Sequence, residues 1–416
     1  ATDPSAATAL VLELEPYWVR FAVHEAQEIA LSLLKKPDLD ETTRARLLYL
    51  AAFTSTMVGD IVAGRRQAIE ALDLARQTND RDLLAAAHFE LGIVLAQSGQ
   101  IDDAITSFRA AGELAAELAD ASRSLRVYGN LGVTLLDAGL AVDATEALRT
   151  AADLARAIGA DYDLAMILFN LAEAELIADE LPRARAHAQE ANDLVGDRLG
   201  HAGDAFGAAV LAGVAACLGE RDVAQDHLRA AARMAISARE PEEMAIVFEY
   251  AAIVAITAGR AGDAGAMLGA ALGVRRSIGQ TADLDRHALR SWIAHEIRTR
   301  LGGKAFEAAL IDGQAMDSGV LLHAIVEPAT PRLAAAAGGF GRLSAREMEV
   351  LALVATGATD IEIGQALFIS PKTASVHVSN IKGKLGLETR IDLAMAGRRV
   401  DVALPGERLA RSGDRS

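Results

Sequence analysis

The chain has 416 residues, 51% of them hydrophobic but only 4% aromatic, and a formal net charge of −16, so it can bury a large core and hold two or more domains. Alanine and leucine dominate while Val/Ile/Thr runs bounded by turns are scarce, which excludes a sheet-based architecture and predicts an all-α protein. Cys217 is the single cysteine, which rules out an internal disulfide, fits a reducing cytoplasm and, among small apolar neighbours, reads as a packed core thiol.

The chain opens as ATDPSAATALVLELEPYWVR, without an initiator methionine and already near a helix, so a preceding N-terminal portion is expected. Residues 1–44 read as a partial helical repeat. From 45 to 284 a period of 40 residues emerges. Gly59, Gly99, Gly139, Asp179, Gly219 and Gly259 coincide on it, as do Gly64, Ala104, Ala144, Ala184, Ala224 and Ala264, and again Ala71, Ala111, Ala151, Ala191, Ala231 and Ala271. The segment 88–111, HFELGIVLAQSGQIDDAITSFRAA, has the tetratricopeptide layout of Leu91-Gly92, a turn at Gly99, the small Ala104, then Phe108 and Ala111. Small residues at fixed positions let antiparallel helices approach closely, and each pair must stack on the next to hide its apolar face. The usual unit is ~34 residues; the extra length falls in polar joints such as QTNDRD and SAREPEE. Six repeats forming an α-solenoid are predicted. In tetratricopeptide arrays the first helix of each pair lines the concave face, which here implies a lining of Tyr49, Phe53, Phe89, Ile93, Val133, Leu136, Phe169, Leu176 and Ile177. Two readings stand side by side: an apolar groove for a peptide or small-molecule effector, or a surface covered by other helices or another domain. The uncharged run Ala205 to Gly219 is too short and too rich in Gly and Ala to span a bilayer. Residues 285–326 read as amphipathic capping helices. Residues 327–341, with two prolines, an alanine run and a Gly-Gly pair, read as a linker.

The next 60 residues change character. Ser344 with Glu347 and Thr359 with Glu362 have capping-box spacing and start two helices. The first keeps Met348, Leu351 and Val354 or Ala355 on one side and stops at Gly357; the second buries Ile361 or Ile363 together with Leu367 and turns through Phe368-Ile369. Ser370 then caps a third helix with Pro371 at its first position and Gly386 at its end, burying Ala374, Val378, Ile381 and Leu385. Its other face shows Lys372, Thr373, Ser375, Val376, Ser379, Asn380 and Lys382. Thr389, with Asp392 three residues on, opens a fourth helix. Four short helices with a tight turn between the second and third match the helix-turn-helix plan.

Residues 342–400 resemble the DNA-binding domain of LuxR-type transcriptional regulators, through LSAREMEVL, the IEIGQALFIS turn, TASVHVSNI and KLGLETR. The resemblance implies that Ser375, Val376 and Ser379 face base edges, and that Lys372, Thr373, Lys384 and Arg390 approach phosphates. Asn380 and Lys382, on the same polar face, extend the two sets. An exposed valine then makes sense, because Val376 can pack on a thymine methyl. Two departures stand out: many members carry lysine where this chain has Ser375, and alanine where it has Gly364.

Charge divides along the chain. Residues 341–400 hold eight Lys/Arg and six Asp/Glu, whereas residues 1–340 hold 30 and 48, a net of −18. A mildly basic reader on an acidic body suits a regulated binder. The order of array, linker and LuxR-type domain resembles the C-terminal half of the large ATP-binding regulators of the MalT-like kind, yet Gly303-Lys304 and Gly383-Lys384 are followed by Ala305 and Leu385, so no phosphate-binding loop is present in these 416 residues. No catalytic grouping, cofactor or metal set is expected, and residues 401–416 read as a flexible tail. The sequence therefore points to a cytoplasmic, non-enzymatic transcription regulator acting as a homodimer on double-stranded promoter DNA, with an effector on the solenoid and RNA polymerase as a further partner. The alternative is an interaction scaffold whose helix-turn-helix serves dimerisation.

Overall fold

The computed structural model describes residues 10, 11, 14, 22–198, 205–280, 283–284, 287–326, 343–387 and 390–399; the expected linker 327–341, the tail 401–416 and Thr389 lie outside the described residues. Every described element of regular structure is helical apart from the single 3-10 residue 284. Two units emerge, residues 1–203 with 283–295 and residues 204–282 with 296–416.

In the first unit α1 (Val23–Leu34) precedes four helix pairs: α2 (Glu41–Met57) with α3 (Ile61–Thr78), α4 (Arg81–Gln97) with α5 (Ile101–Glu117), α6 (Ala121–Asp137) with α7 (Ala141–Ile158), and α8 (Asp161–Ile177) with α9 (Leu181–Arg198). The second unit opens with α10 (Ala205–Cys217) and α11 (Arg221–Ala238), then α12 (Pro241–Thr257) and α13 (Ala261–Ser277). After α14 (Ala288–Leu301) come α15 (Gly303–Gln314) and α16 (Ser318–Val326).

The period seen in the sequence is a period of backbone angles. Gly59, Gly99, Gly139, Asp179, Gly219 and Gly259 all have positive φ and close the turn inside a pair. That left-handed residue ends one helix and lets the next fold back beside it. Asn79, Ala119, Gly159, Arg239 and Gly279 do the same between pairs, a second series of which Ala119 and Arg239 give no sequence sign. Asp40, Asp60, Asp80 and Asp120 cap the helices that follow, each accepting from the N–H three residues on. The recurring alanines at 71, 104 and their equivalents are buried. Contact there is tight: a Cβ on Gly92 would lie 2.7 Å from the Phe108 ring, and one on Gly132 would lie 2.5 Å from Leu148.

In the second unit α13 and α15 cross with backbones nearly touching. A Cβ on Gly269 would sit 2.2 Å from the Leu310 carbonyl oxygen, and one on Gly313 would sit 1.9 Å from that of Ala266. Beside them Arg275 donates to Glu249 through both Nε and Nη2, at 2.8 and 2.9 Å, with both side chains buried.

Four helices form the C-terminal part: α17 (Ala345–Ala355), α18 (Asp360–Leu367), α19 (Pro371–Leu385) and α20 (Arg390–Arg399). Both expected capping boxes are present, at Ser344/Glu347 and Thr359/Glu362. Val350, Leu351, Val354, Ile363, Leu367, Ala374, Val378, Ile381, Leu385 and Leu393 make one core. Of the two isoleucines offered by the pattern, Ile363 is fully buried and Ile361 is 60% exposed.

Candidate nucleic-acid interface

Helix α19 owes its start to Ser370, whose Oγ accepts the Thr373 N–H at 3.0 Å, and to Pro371 at its first position. It ends on Gly386 at φ 67. Ala374, Val378, Ile381 and Leu385 hold it to the core, so its rotation is set by burial. The rotation leaves Lys372, Thr373, Ser375, Val376, Ser379 and Asn380 exposed, with His377 and Lys382 half-buried. Ser375, Val376, Ser379 and Asn380 share one strip, since residues four apart on a helix are neighbours. Val376 is 52% exposed, an apolar side chain with no core to fill.

Gly364 has a tertiary role. Phe368 adopts the left-handed conformation, the Ile369 N–H donates to the Gly364 carbonyl at 2.9 Å, and a Cβ on Gly364 would lie 2.8 Å from the Ile369 oxygen. The glycine thus sits where the tight turn folds back on α18.

Two of the residues expected to meet phosphates are also paired within the domain. Lys384 Nζ donates to Glu347 Oε2 at 2.7 Å, and the same carboxylate accepts the Ser344 N–H at 2.8 Å. The Lys384 hydrogen bond first, and the Ser344 backbone bond second, hold the Glu347 carboxyl down at about 2. Arg390 donates to Asp360 Oδ1 at 2.5 Å and to the Ala358 oxygen at 2.6 Å. Both cations are paired while part-exposed, and they tie α19 to α17 and α20 to α18. These pairings span 37 and 30 residues, beyond the reach of helical spacing.

The expected groove lining is also revised. Tyr49, Phe53, Phe89, Leu136, Phe169 and Leu176 are buried; of the nine expected positions only Val133 is exposed, with Ile93 and Ile177 half-buried. Phe89 explains why, since its ring lies 5.9 Å from that of Phe108 and the Arg126 guanidinium covers it at 4.8 Å. The aromatic residues fill the space between helices. The solvent face of α6 instead shows Arg126, Asn130 and Val133, and that of α8 shows Tyr162, with Met166 and Asn170 half-buried. Asn130 and Asn170 stand 40 residues apart, and each amide nitrogen donates to the carbonyl four residues back. Their recurrence at the repeat period was the signal that could have found them.

Comparison with known proteins decides the C-terminal part: residues 342–396 match the family described as bacterial regulatory proteins, luxR family. These residues form a LuxR-family regulatory domain. A Mycobacterium tuberculosis protein, Rv0890c, named only provisionally as an HTH-type transcriptional regulator, is 26% identical over 392 residues, covering 85% of this chain. The chain spans 44% of that protein's length. The Bacillus subtilis transcriptional regulatory protein LiaR is 44% identical over 57 residues, which cover 14% of this chain and 27% of LiaR. Among solved structures, the apo form of RapI superposes with a TM-score of 0.54 at 14% identity, over 65% of this chain and 98% of RapI, a likeness of fold. The chain is thus all-α, a tetratricopeptide-like solenoid followed by a LuxR-type helix-turn-helix. Among the described residues no helix is long and apolar enough to cross a membrane.

Proposed function

We propose that this chain is the DNA-binding and signal-receiving part of a transcription regulator. The observation that carries the reading is the exposed strip of α19, where small polar side chains and Val376 sit between lysines on a rigidly held helix in a LuxR-family domain. A helix so placed enters the major groove with its N-terminal residues at base edges. In this reading Ser375, Val376, Ser379 and Asn380 read bases, while Lys372, Thr373 and Lys382 meet phosphates. Lys384 and Arg390 keep the supporting helices in register behind them. The domain is taken as residues 342–400, joined by the linker 327–341 to six repeats over 45–284 and the capping helices of 285–326. A homodimer on two half-sites, a cytoplasmic location and the absence of catalysis belong to the same proposal.

For the solenoid, Asn130 and Asn170 favour a peptide as effector. Side-chain amides carry both a donor and acceptors, which suits them to an extended backbone. Selection of bound sequences from random DNA by the 416-residue chain tests the main reading. A recovered motif with twofold symmetry supports it; a chain that dimerises yet enriches no sequence would make it an interaction scaffold instead.

A further inference from the structure

The solvent-facing strip of α6 has an occupant at one end. Arg126, Asn130, Val133 and Asp137 recur at helical spacing, so they lie along one face over about 16 Å. The first three are exposed and Asp137 is half-buried. Asp137 Oδ1 lies 3.7 Å from Nε2 of His287, a residue from beyond the last repeat. His287 opens α14: its Nδ1 accepts the Leu289 N–H at 3.2 Å, which leaves the ring proton on Nε2, the atom turned to Asp137. Residues 283–295 group with the repeats of 1–203, and Leu289, Arg290, Ile293 and Ala294 are buried.

Charge gives this seat a direction. Asp137 is the last residue of α6, where a carboxylate meets the negative end of the helix dipole. It disfavours its own helix there and is stabilised by a donor brought from elsewhere, which the first residue of the α14 segment supplies. No helix pair of the array contains that segment, because α14 follows the last pair, α12 with α13. An extended peptide laid along the α6 strip covers it with about five residues and meets the segment at Asp137. Given the reading of the solenoid as the signal-receiving part, we infer that residues 287–294 are a built-in ligand of this face and that the effector is a peptide that displaces them. Its chemistry follows from theirs: a histidine or basic side chain for Asp137, then apolar side chains at the spacing of Leu289 and Ile293.

The test uses the full chain and a synthetic peptide of residues 283–296 carrying heavy isotopes, with no DNA present. Bound peptide is expected to take the place of the tethered segment, so amide exchange over 288–294 of the chain rises at saturation while that over 126–137 falls. His287→Ala in the chain loosens the tether by a part-exposed pair and a cap. Calorimetry should then show roughly fivefold tighter peptide binding, since only the fraction with an open face binds. The same change made in the peptide alone should weaken its binding to the wild-type chain by a similar factor. A peptide that binds neither chain, that binds the His287→Ala chain no better, or that leaves exchange over 288–294 unchanged at saturation overturns the inference. The exchange measurement on the wild-type chain needs no substitution, so a variant that fails to fold leaves it decisive. A different peptide that binds over Asn130 while 288–294 stays protected would keep the signal-receiving reading and reject the displacement alone.

Discussion

Replacing Lys384 by methionine separates a structural cation from a DNA-binding one. Its side chain is 42% exposed and its ammonium bonds a Glu347 side chain that is only 6% exposed. Solvent screening at the lysine end holds the pair to about 1 kcal/mol or less, the top of the range for surface pairs. A loss of that size raises local opening constants by roughly fivefold, readable as faster amide exchange in α17 and α19 of the intact chain. The pH dependence carries a sign. The Glu347 carboxyl lies at about 2, below its ordinary 4.5, so its contribution is fully present above 4.5 and disappears as pH falls through about 2. The gap between wild type and Lys384→Met should therefore be constant from neutrality down to about pH 4.5 and shrink below it; the variant keeps some dependence because Ser344 still bonds the carboxylate. On DNA, a lysine already paired releases no counterion. The log-log salt slope should barely move for Lys384→Met, whereas Lys372→Met should lower it by about 0.9, the value per phosphate contact. A slope lowered by about 0.9 in Lys384→Met, with exchange rates untouched, would refute the structural role and restore Lys384 to the phosphate set.

Val376→Ala and Ser379→Ala should each weaken operator binding by roughly 1–3 kcal/mol per lost base contact while leaving non-specific binding nearly unchanged; equal losses on both, in parallel titrations, would rule out base reading. Glu249→Gln removes the charge that Arg275 bonds in this buried pair and should cost up to about 3–5 kcal/mol by urea unfolding of the chain. Gly269→Ala forces a methyl against the Leu310 carbonyl and should destabilise by about 1–3 kcal/mol or more; a rise in melting temperature would show that the α13–α15 crossing is looser than 2.2 Å implies. Gly364→Ala should fall short of the ~0.5–1 kcal/mol that a helix normally gains from alanine, because the Ile369 oxygen occupies the space, and a thermal melt would register the shortfall.

Much of this architecture is legible without coordinates because it is written in local interactions. A left-handed residue every 40 positions, an aspartate or serine accepting the N–H three residues on, and alanine wherever two helices meet all act within a few residues of themselves. They suffice to mark the repeats, the capping boxes and the helix that carries Val376. What they leave open is which partner a side chain meets from a distant helix. Periodicity offers both Ile361 and Ile363 to the core, and only packing against Leu351 and Val378 chooses the latter. The repeat layout assigns Tyr49 and Phe89 to an open groove, and the stacking of neighbouring helices buries them. A charge on a helix edge looks ready for phosphate until Glu347 is found 2.7 Å from Lys384, and Gly269 and Gly313 look like weak points in a helix until two backbones cross over them. Caps and turns depend on neighbours along the chain, so the order of residues is enough to determine them; burial and ion pairing depend on neighbours in space, which exist only once the helices have stacked.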